Sequence, residues 1–198
     1  MSSWSTAALE DYLVRALPGF CGPLQVHAFS YGQSNPTFKL KSPTGSLVLR
    51  KQPSGKLAHS AHAIDREFTV LQALQGSAVP VPAVHLYCAD RSVIGTPFYI
   101  MTFVEGRIFT DPALPHLSSK ARHCVYAEAI KVLLAIHAVD IKSSGVQVLS
   151  SSGGRGFYPR QLRRLTSVAQ QQAAAAGDIP NLLELSTELA AYCPPGIV

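Results

Sequence analysis

No stretch of this chain comes near the roughly 20 apolar residues that a membrane-spanning helix requires. The longest apolar stretches, near Phe98 to Val104 and Val132 to Ile136, fall far short of that. The four cysteines, Cys21, Cys88, Cys124 and Cys193, are widely separated and form no C-x-x-C pair. Neither a zinc site nor a disulfide framework is therefore expected, and reduced, buried thiols are the simpler reading. Charge is scarce too: 15% Asp, Glu, Lys and Arg against 47% apolar residues. That balance argues against disorder, and 198 residues can bury one sizeable core with at most a small second one. Targeting signals are missing: Met1 to Trp4 shows no charged segment leading into an apolar one, and Gly196-Ile197-Val198 is not a peroxisomal tail. Proline in the middle of Asn35-Pro36-Thr37 removes it as a glycosylation acceptor. By elimination a soluble, intracellular chain is expected.

What is present begins with a net charge of +5 and a pI near 9.1, which suits a phosphate-bearing ligand as well as nucleic acid. Arg160, Arg163 and Arg164, with Arg155 nearby, can share part of a helix surface. No aromatic platform or nucleic-acid fold accompanies them, so nucleic acid is not expected as a partner. His59 and His62 have a spacing that brings two imidazoles together on a helix, but no third ligand follows at a suitable distance.

Hydrophobic periodicity then sets the architecture. Leu9, Leu13, Ala16 and Leu17 recur at helical spacing over Thr6 to Leu17, with Thr6 as a candidate N-cap and Pro18-Gly19 as a stop. Leu24 to Phe29, Thr37 to Leu40 and Leu47 to Leu49 read as short strands separated by turn-forming residues. Ile64, Phe68, Leu71 and Leu74 mark a helix over Ala61 to Leu74, with Gly76 as its C-cap signal. After the stiff connector Val79-Pro80-Val81-Pro82, Val84 to Tyr87 and Phe98 to Phe103 supply two more strands. Composition shifts after Glu105-Gly106, and a long helix from about Ser118 to Val139 is expected to bury Val125, Ala129, Val132, Leu133 and Ile136. Ser150 to Gly154 reads as a loop and Gln170 to Ala176 as helix-compatible. The expected fold class is α+β, with a strand-rich lobe over 1–104 and a helical one over 105–198.

Five antiparallel strands with a helix after the third follow the order of a kinase N-lobe, so each position can be tested against phosphate-binding mechanics. Gly32 lies between the first two strands, in the turn Tyr31-Gly32-Gln33-Ser34-Asn35, where backbone amides can approach a polyphosphate. Ser34 and Asn35 can add side-chain donors. Alone, Gly32 is more often an ordinary hairpin residue. The third strand ends Leu47-Val48-Leu49-Arg50-Lys51, which resembles the V-A-I-K pattern whose cation reaches the α- and β-phosphates. Alternation sends Arg50 and Lys51 to opposite faces, and Arg50 takes the lysine position. In isolation, two solvated charges at a strand end would explain the pair. Glu67 sits beside the buried stripe of the next helix, where it can pair with the strand cation. Backbone groups at Thr102 and Val104 can meet an adenine edge, with Met101 and Val48 as apolar walls.

Four segments are similar to one kinase-like family: 31–37, Leu49 to Leu57, Ser60 to Glu67 and Ser92 to Met101. Together they resemble domains of the aminoglycoside phosphotransferase and choline kinase type, nearest to the one fused ahead of the dehydrogenase in acyl-CoA dehydrogenase family members ten and eleven. The likeness runs from about residue 7 to 190; Gly156-Phe157-Tyr158 with Arg160-Gln161 continues it, although Leu165 stands where that family has a tryptophan. The resemblance implies a protein-kinase-like N-lobe followed by a partial helical C-lobe, with ATP as ligand. It further implies magnesium in a full-length form only, a small hydroxylated acceptor of acyl-CoA type, and a mitochondrial or peroxisomal setting.

The family's catalytic aspartate lies in an H-G-D loop, with a metal-binding asparagine five residues on and a further aspartate beyond. After His137 this chain offers only Asp140 and Asp178, neither in such a pattern, and no further histidine. Losing a general base costs about 100-fold to 10,000-fold in rate. The expectation is a nucleotide-holding fragment without useful turnover, as from a short splice product or incomplete gene model. A non-catalytic interaction module is the alternative.

Overall fold

The computed structural model describes residues 4–29, 35–55, 63–141, 143–145, 156–177 and 181–192. The chain divides into two compact units, 1–148 and 149–198. The first opens with helix α1 (Thr6–Ala16), whose N-cap is Ser5 rather than Thr6: the Ser5 hydroxyl accepts the Ala8 N–H at 3.3 Å. Capping by the extended residue just ahead of the helix is the ordinary geometry, and the sequence offered two hydroxyls in a row.

Strands β1 (Gln25–Ala28), β2 (Thr37–Ser42), β3 (Gly45–Lys51), β4 (Val84–Cys88) and β5 (Phe98–Thr102) form one antiparallel sheet ordered β1-β2-β3-β5-β4. The β2–β3 turn depends on Gly45, whose φ of +127° is a region that side chains with a Cβ rarely enter. That turn sets the register Phe38↔Leu49, Lys39↔Val48 and Thr37↔Arg50. Since opposite residues share a face, the sheet sorts its side chains cleanly. One face carries Leu40, Leu49, Phe98, Ile100 and Cys88, which pack with Leu9 and Leu13 of α1 into the core. The other face carries Thr37, Lys39, Val48, Arg50, Tyr99 and Met101.

Helix α2 (Ile64–Ala73) lies on this second face, through Phe68 against Tyr87 and Tyr99 at ring separations of 5.6 and 6.1 Å. Its C-cap is Leu74, two residues before Gly76. A one-turn helix, α3 (Arg91–Ile94), has no counterpart in the sequence reading. It is capped by Asp90, whose carboxylate accepts the Ser92 N–H at 2.8 Å.

Helix α4 (Ser119–His137) starts on the Ser118 hydroxyl, which accepts the Ala121 N–H at 3.2 Å. Its expected buried stripe is not buried. No α4 residue is, and Leu133 and Ile136 are 50% and 48% exposed. Periodicity identifies an apolar face, whereas burial needs a second surface packed on it, and the described residues of this unit do not supply one. In the second unit α5 (Phe157–Ala176) and α6 (Leu182–Ala191) pair with each other. Between them runs an apolar groove of about 320 Å³ lined by Leu162, Leu165, Val168, Leu182, Leu185 and Leu189. The sequence reading placed Arg160, Arg163 and Arg164 on a helix surface and Gln170 to Ala176 in helix-compatible sequence, both within α5, and gave no counterpart of α6. Among the described residues no helix is long and apolar enough to cross a membrane.

Candidate functional site

The register of β3 and the lie of α2 bring Arg50 and Glu67 together on the second sheet face. Arg50 Nε donates to Glu67 Oε2 at 2.7 Å and Nη2 to Oε1 at 3.4 Å, a two-point pairing. The hydrogen bond to Glu67 holds the Arg50 pKa above its ordinary value, against the opposing effect of burial. Both side chains keep contact with water, being 28% and 35% exposed, so the pair contributes only about 0–1 kcal/mol to stability.

Three further residues close around this pair. Asn35, only 3% exposed, donates from Nδ2 to Glu67 Oε1 at 2.7 Å. Tyr99 lies opposite Arg50 across the β3–β5 ladder and donates its hydroxyl to Glu67 Oε2 at 3.3 Å. Burial, reinforced by the Glu67 charge, raises the Tyr99 pKa, so the hydroxyl stays protonated and remains a donor. Arg50 Nη1 meets the Thr37 hydroxyl at 3.0 Å and the Asn35 carbonyl at 3.4 Å, and the Thr37 hydroxyl itself donates to that carbonyl at 3.1 Å.

Thr37 also belongs to the wall of a cleft of about 830 Å³, which brings together Val48, Met101, Thr102 and Val104, four of the residues expected to surround an adenine. That volume lies within the range of small-molecule sites. Phe29, the Pro80-Val81-Pro82 connector and the run from Phe103 to Ile108 complete the lining. Phe29 and Phe103 lie nearly parallel, 13° apart with centroids at 6.5 Å, and Lys39 Nζ stands 3.5 Å from the centre of the Phe103 ring. The Thr102 N–H is spent on the Ala83 carbonyl at 2.8 Å, so it is not a donor for a ligand. The Val104 N–H makes no backbone hydrogen bond among the described residues, and its residue is 66% exposed.

Sequence reasoning missed Thr37, Tyr99, Phe29, Phe103 and Lys39. Thr37 and Tyr99 were within reach, since the Pro43-Thr44-Gly45 turn fixes the strand register that puts them beside Arg50. Nothing local marks the Phe29–Phe103 contact. Asn35, considered as a ligand donor, spends at least one amide hydrogen inside the protein. Lys51 is not the solvated strand-end charge that a bland reading suggests: it is 5% exposed, paired with Phe98, and burial lowers its pKa.

Gly32, Gln33 and Ser34 lie outside the described residues, as do His59, His62 and Arg155. Among the described residues no three His, Cys, Asp or Glu side chains converge.

The profile described as "Phosphotransferase enzyme family" matches residues 25–198. Acyl-CoA dehydrogenase family member 11 of Gallus gallus is 45% identical over 95% of this chain, which covers 24% of that protein. Acyl-CoA dehydrogenase family member 10 of Mus musculus is 43% identical over 94% of this chain, covering 17% of it. The chain thus spans a quarter or less of these relatives. A crystal structure from Ralstonia eutropha, described as a candidate aminoglycoside phosphotransferase, superposes with a TM-score of 0.68 at 40% identity, over 95% of this chain and 53% of that one.

Proposed function

Because the chain belongs to the phosphotransferase enzyme family, we propose that its sheet-lined cleft holds ATP or a related nucleotide. In this reading Val48 and Met101 flank the adenine and the Val104 N–H meets its edge. Arg50 addresses the phosphates, with Gly32, Gln33 and Ser34 proposed as further phosphate ligands. The cleft wall continues from β5 into the Phe103 to Ile108 run.

The observation that carries the reading is the Arg50–Glu67 pair, which does not itself line the cleft but is joined to its wall through Thr37. All three guanidinium nitrogens meet protein acceptors, and Nη2, with one such contact among the described residues, keeps a hydrogen for an anion whose direction the Glu67 contact fixes. Arginine suits this role because its planar fork stays charged and keeps its orientation while contacting a phosphate oxygen.

The 198 residues contain no H-G-D loop, so in this reading they supply nucleotide binding and not the transfer chemistry. Magnesium and the acceptor belong to a full-length form, fused to an acyl-CoA dehydrogenase in the mitochondrion or peroxisome and acting on a hydroxylated acyl-CoA-type metabolite. Calorimetric titration with ATP and magnesium tests the binding claim. Saturable binding is expected, and none at millimolar nucleotide by a folded chain would overturn it.

One observation favours a second reading, a non-catalytic interaction module: α4 exposes Ile130, Leu133 and Leu134 by half or more, and such faces favour association. Light scattering separates the two, since a monomer at high concentration argues against obligate association.

A further inference from the structure

The Glu67 carboxylate is held by more than its ion-pair partner. Arg50 grips it firmly at one oxygen only, Nε to Oε2 at 2.7 Å, the second contact being a long 3.4 Å, and an ion pair exposed to 28% and 35% is weak while both side chains have many rotamers. Asn35 Nδ2 fixes one oxygen at 2.7 Å and the Tyr99 hydroxyl approaches the other at 3.3 Å. These donors come from different places in the fold, the segment ahead of β2 and strand β5, so together they set the plane of the carboxylate. Asn35 acts twice, since its carbonyl also accepts from Arg50 Nη1 at 3.4 Å. Neither residue lines the cleft.

Resting on the nucleotide reading above, we infer that Asn35 and Tyr99 are positioning residues: by clamping the Glu67 carboxylate they aim Arg50 at a phosphate group of a nucleoside di- or triphosphate. They touch no ligand themselves. Their effect is confined to the phosphate end, because the adenine walls Val48 and Met101 lie elsewhere on the sheet face. Removing either donor leaves the ion pair present but loosely oriented.

The test compares ADP with adenosine on the full chain, for wild type, Tyr99→Phe and Asn35→Leu. Wild type is expected to prefer ADP. Each variant should lose about tenfold in ADP affinity, the value of one hydrogen bond to a charged group, with adenosine affinity unchanged. The Arg50 Nε–H resonance of the ligand-free chain, assigned by its disappearance in Arg50→Lys, should shift in both variants. Tyr99→Phe removes a single hydroxyl and keeps the test open should Asn35→Leu fail to fold. A lowered melting temperature with the ADP-to-adenosine ratio intact would make the residues merely structural and overturn the inference. So would an unmoved Arg50 resonance in a chain whose wild type binds ADP. A wild type that binds neither ligand would instead remove the nucleotide reading, and the positioning role with it.

Discussion

The sheet and helix α4 are built from similar apolar residues yet treat them in opposite ways. Leu49, Phe98 and Ile100 are completely buried, between the sheet and α1, whereas Ile130, Leu133 and Leu134 on α4 are 56%, 50% and 61% exposed. An amphipathic pattern records which face of an element is apolar, and only a facing surface converts that face into stability. The sheet has two covered faces, one under α1 and one under α2. Helix α4 has none among the described residues of its unit, so its leucines do little for the folded state.

The widest gap between the two regions should appear on truncation. Phe98→Ala opens a cavity in the fully packed core and is expected to cost about 3–5 kcal/mol, or to prevent folding altogether. Leu134→Ser should fall within about 0.5 kcal/mol of wild type, as exposed positions usually do. Denaturant unfolding followed by circular dichroism measures both. A Leu134→Ser loss comparable to that of Phe98→Ala would mean that α4 is covered in solution, and the contrast would disappear.

A second contrast lies within the sheet itself, between the face that stabilises and the face that binds. Arg50→Ala should weaken ADP by roughly tenfold to a hundredfold, the worth of a hydrogen bond between charged groups. Its melting temperature should hardly change, because a pair exposed to this degree contributes little to folding. Calorimetry and thermal unfolding on one preparation give both numbers. A large thermal loss with unchanged ADP affinity would reverse the assignment and make Arg50 a structural residue.

Much of this was legible in the residues because the determinants are local. Alternation in Leu47 to Lys51 sends Arg50 and Lys51 to opposite faces, and Gly45 and Pro43 fix the turn that aligns Arg50 with Thr37. The order of strands and helix then places Glu67 over that face, and the two side chains meet at 2.7 Å. What escaped depends on distant packing. Phe29 stacks with Phe103, separated by most of the lobe in sequence, and no local pattern announces that contact. The α4 stripe failed for the converse reason: its periodicity is genuine, but the partner that would bury it lies outside what a single helix can specify. Asn35 was read as facing a ligand because turn asparagines often bond outward or to their own backbone, whereas its contact with Glu67 spans 32 residues.

Lys51 gives the smallest and finest test, since it places a charge on the stabilising face. It is 5% exposed and sits opposite Phe98. The ion pairs among the described residues are Arg50–Glu67 and Lys131–Glu128, so its ammonium has no carboxylate partner there. Burial lowers its pKa below 10.5. Lys51→Met keeps the aliphatic stem and removes the charge, and should raise the melting temperature by about 2–4 °C near neutral pH, equivalent to about 1 kcal/mol. The gain must depend on pH. The unfolded chain holds the lysine proton up to about its ordinary 10.5 while the folded chain releases it earlier. Over that window the unfolded state binds more protons, so wild-type stability rises with pH. The advantage of methionine therefore shrinks as pH climbs toward 10.5. Raised tyrosine pKa values at Tyr12, Tyr87 and Tyr99 act in the opposite sense, but they are common to both proteins and cancel in the difference. An advantage that stays constant or grows between neutral and alkaline pH would show that Lys51 reaches water or an anion, and that the face packed on α1 tolerates charge as readily as the face that carries Arg50.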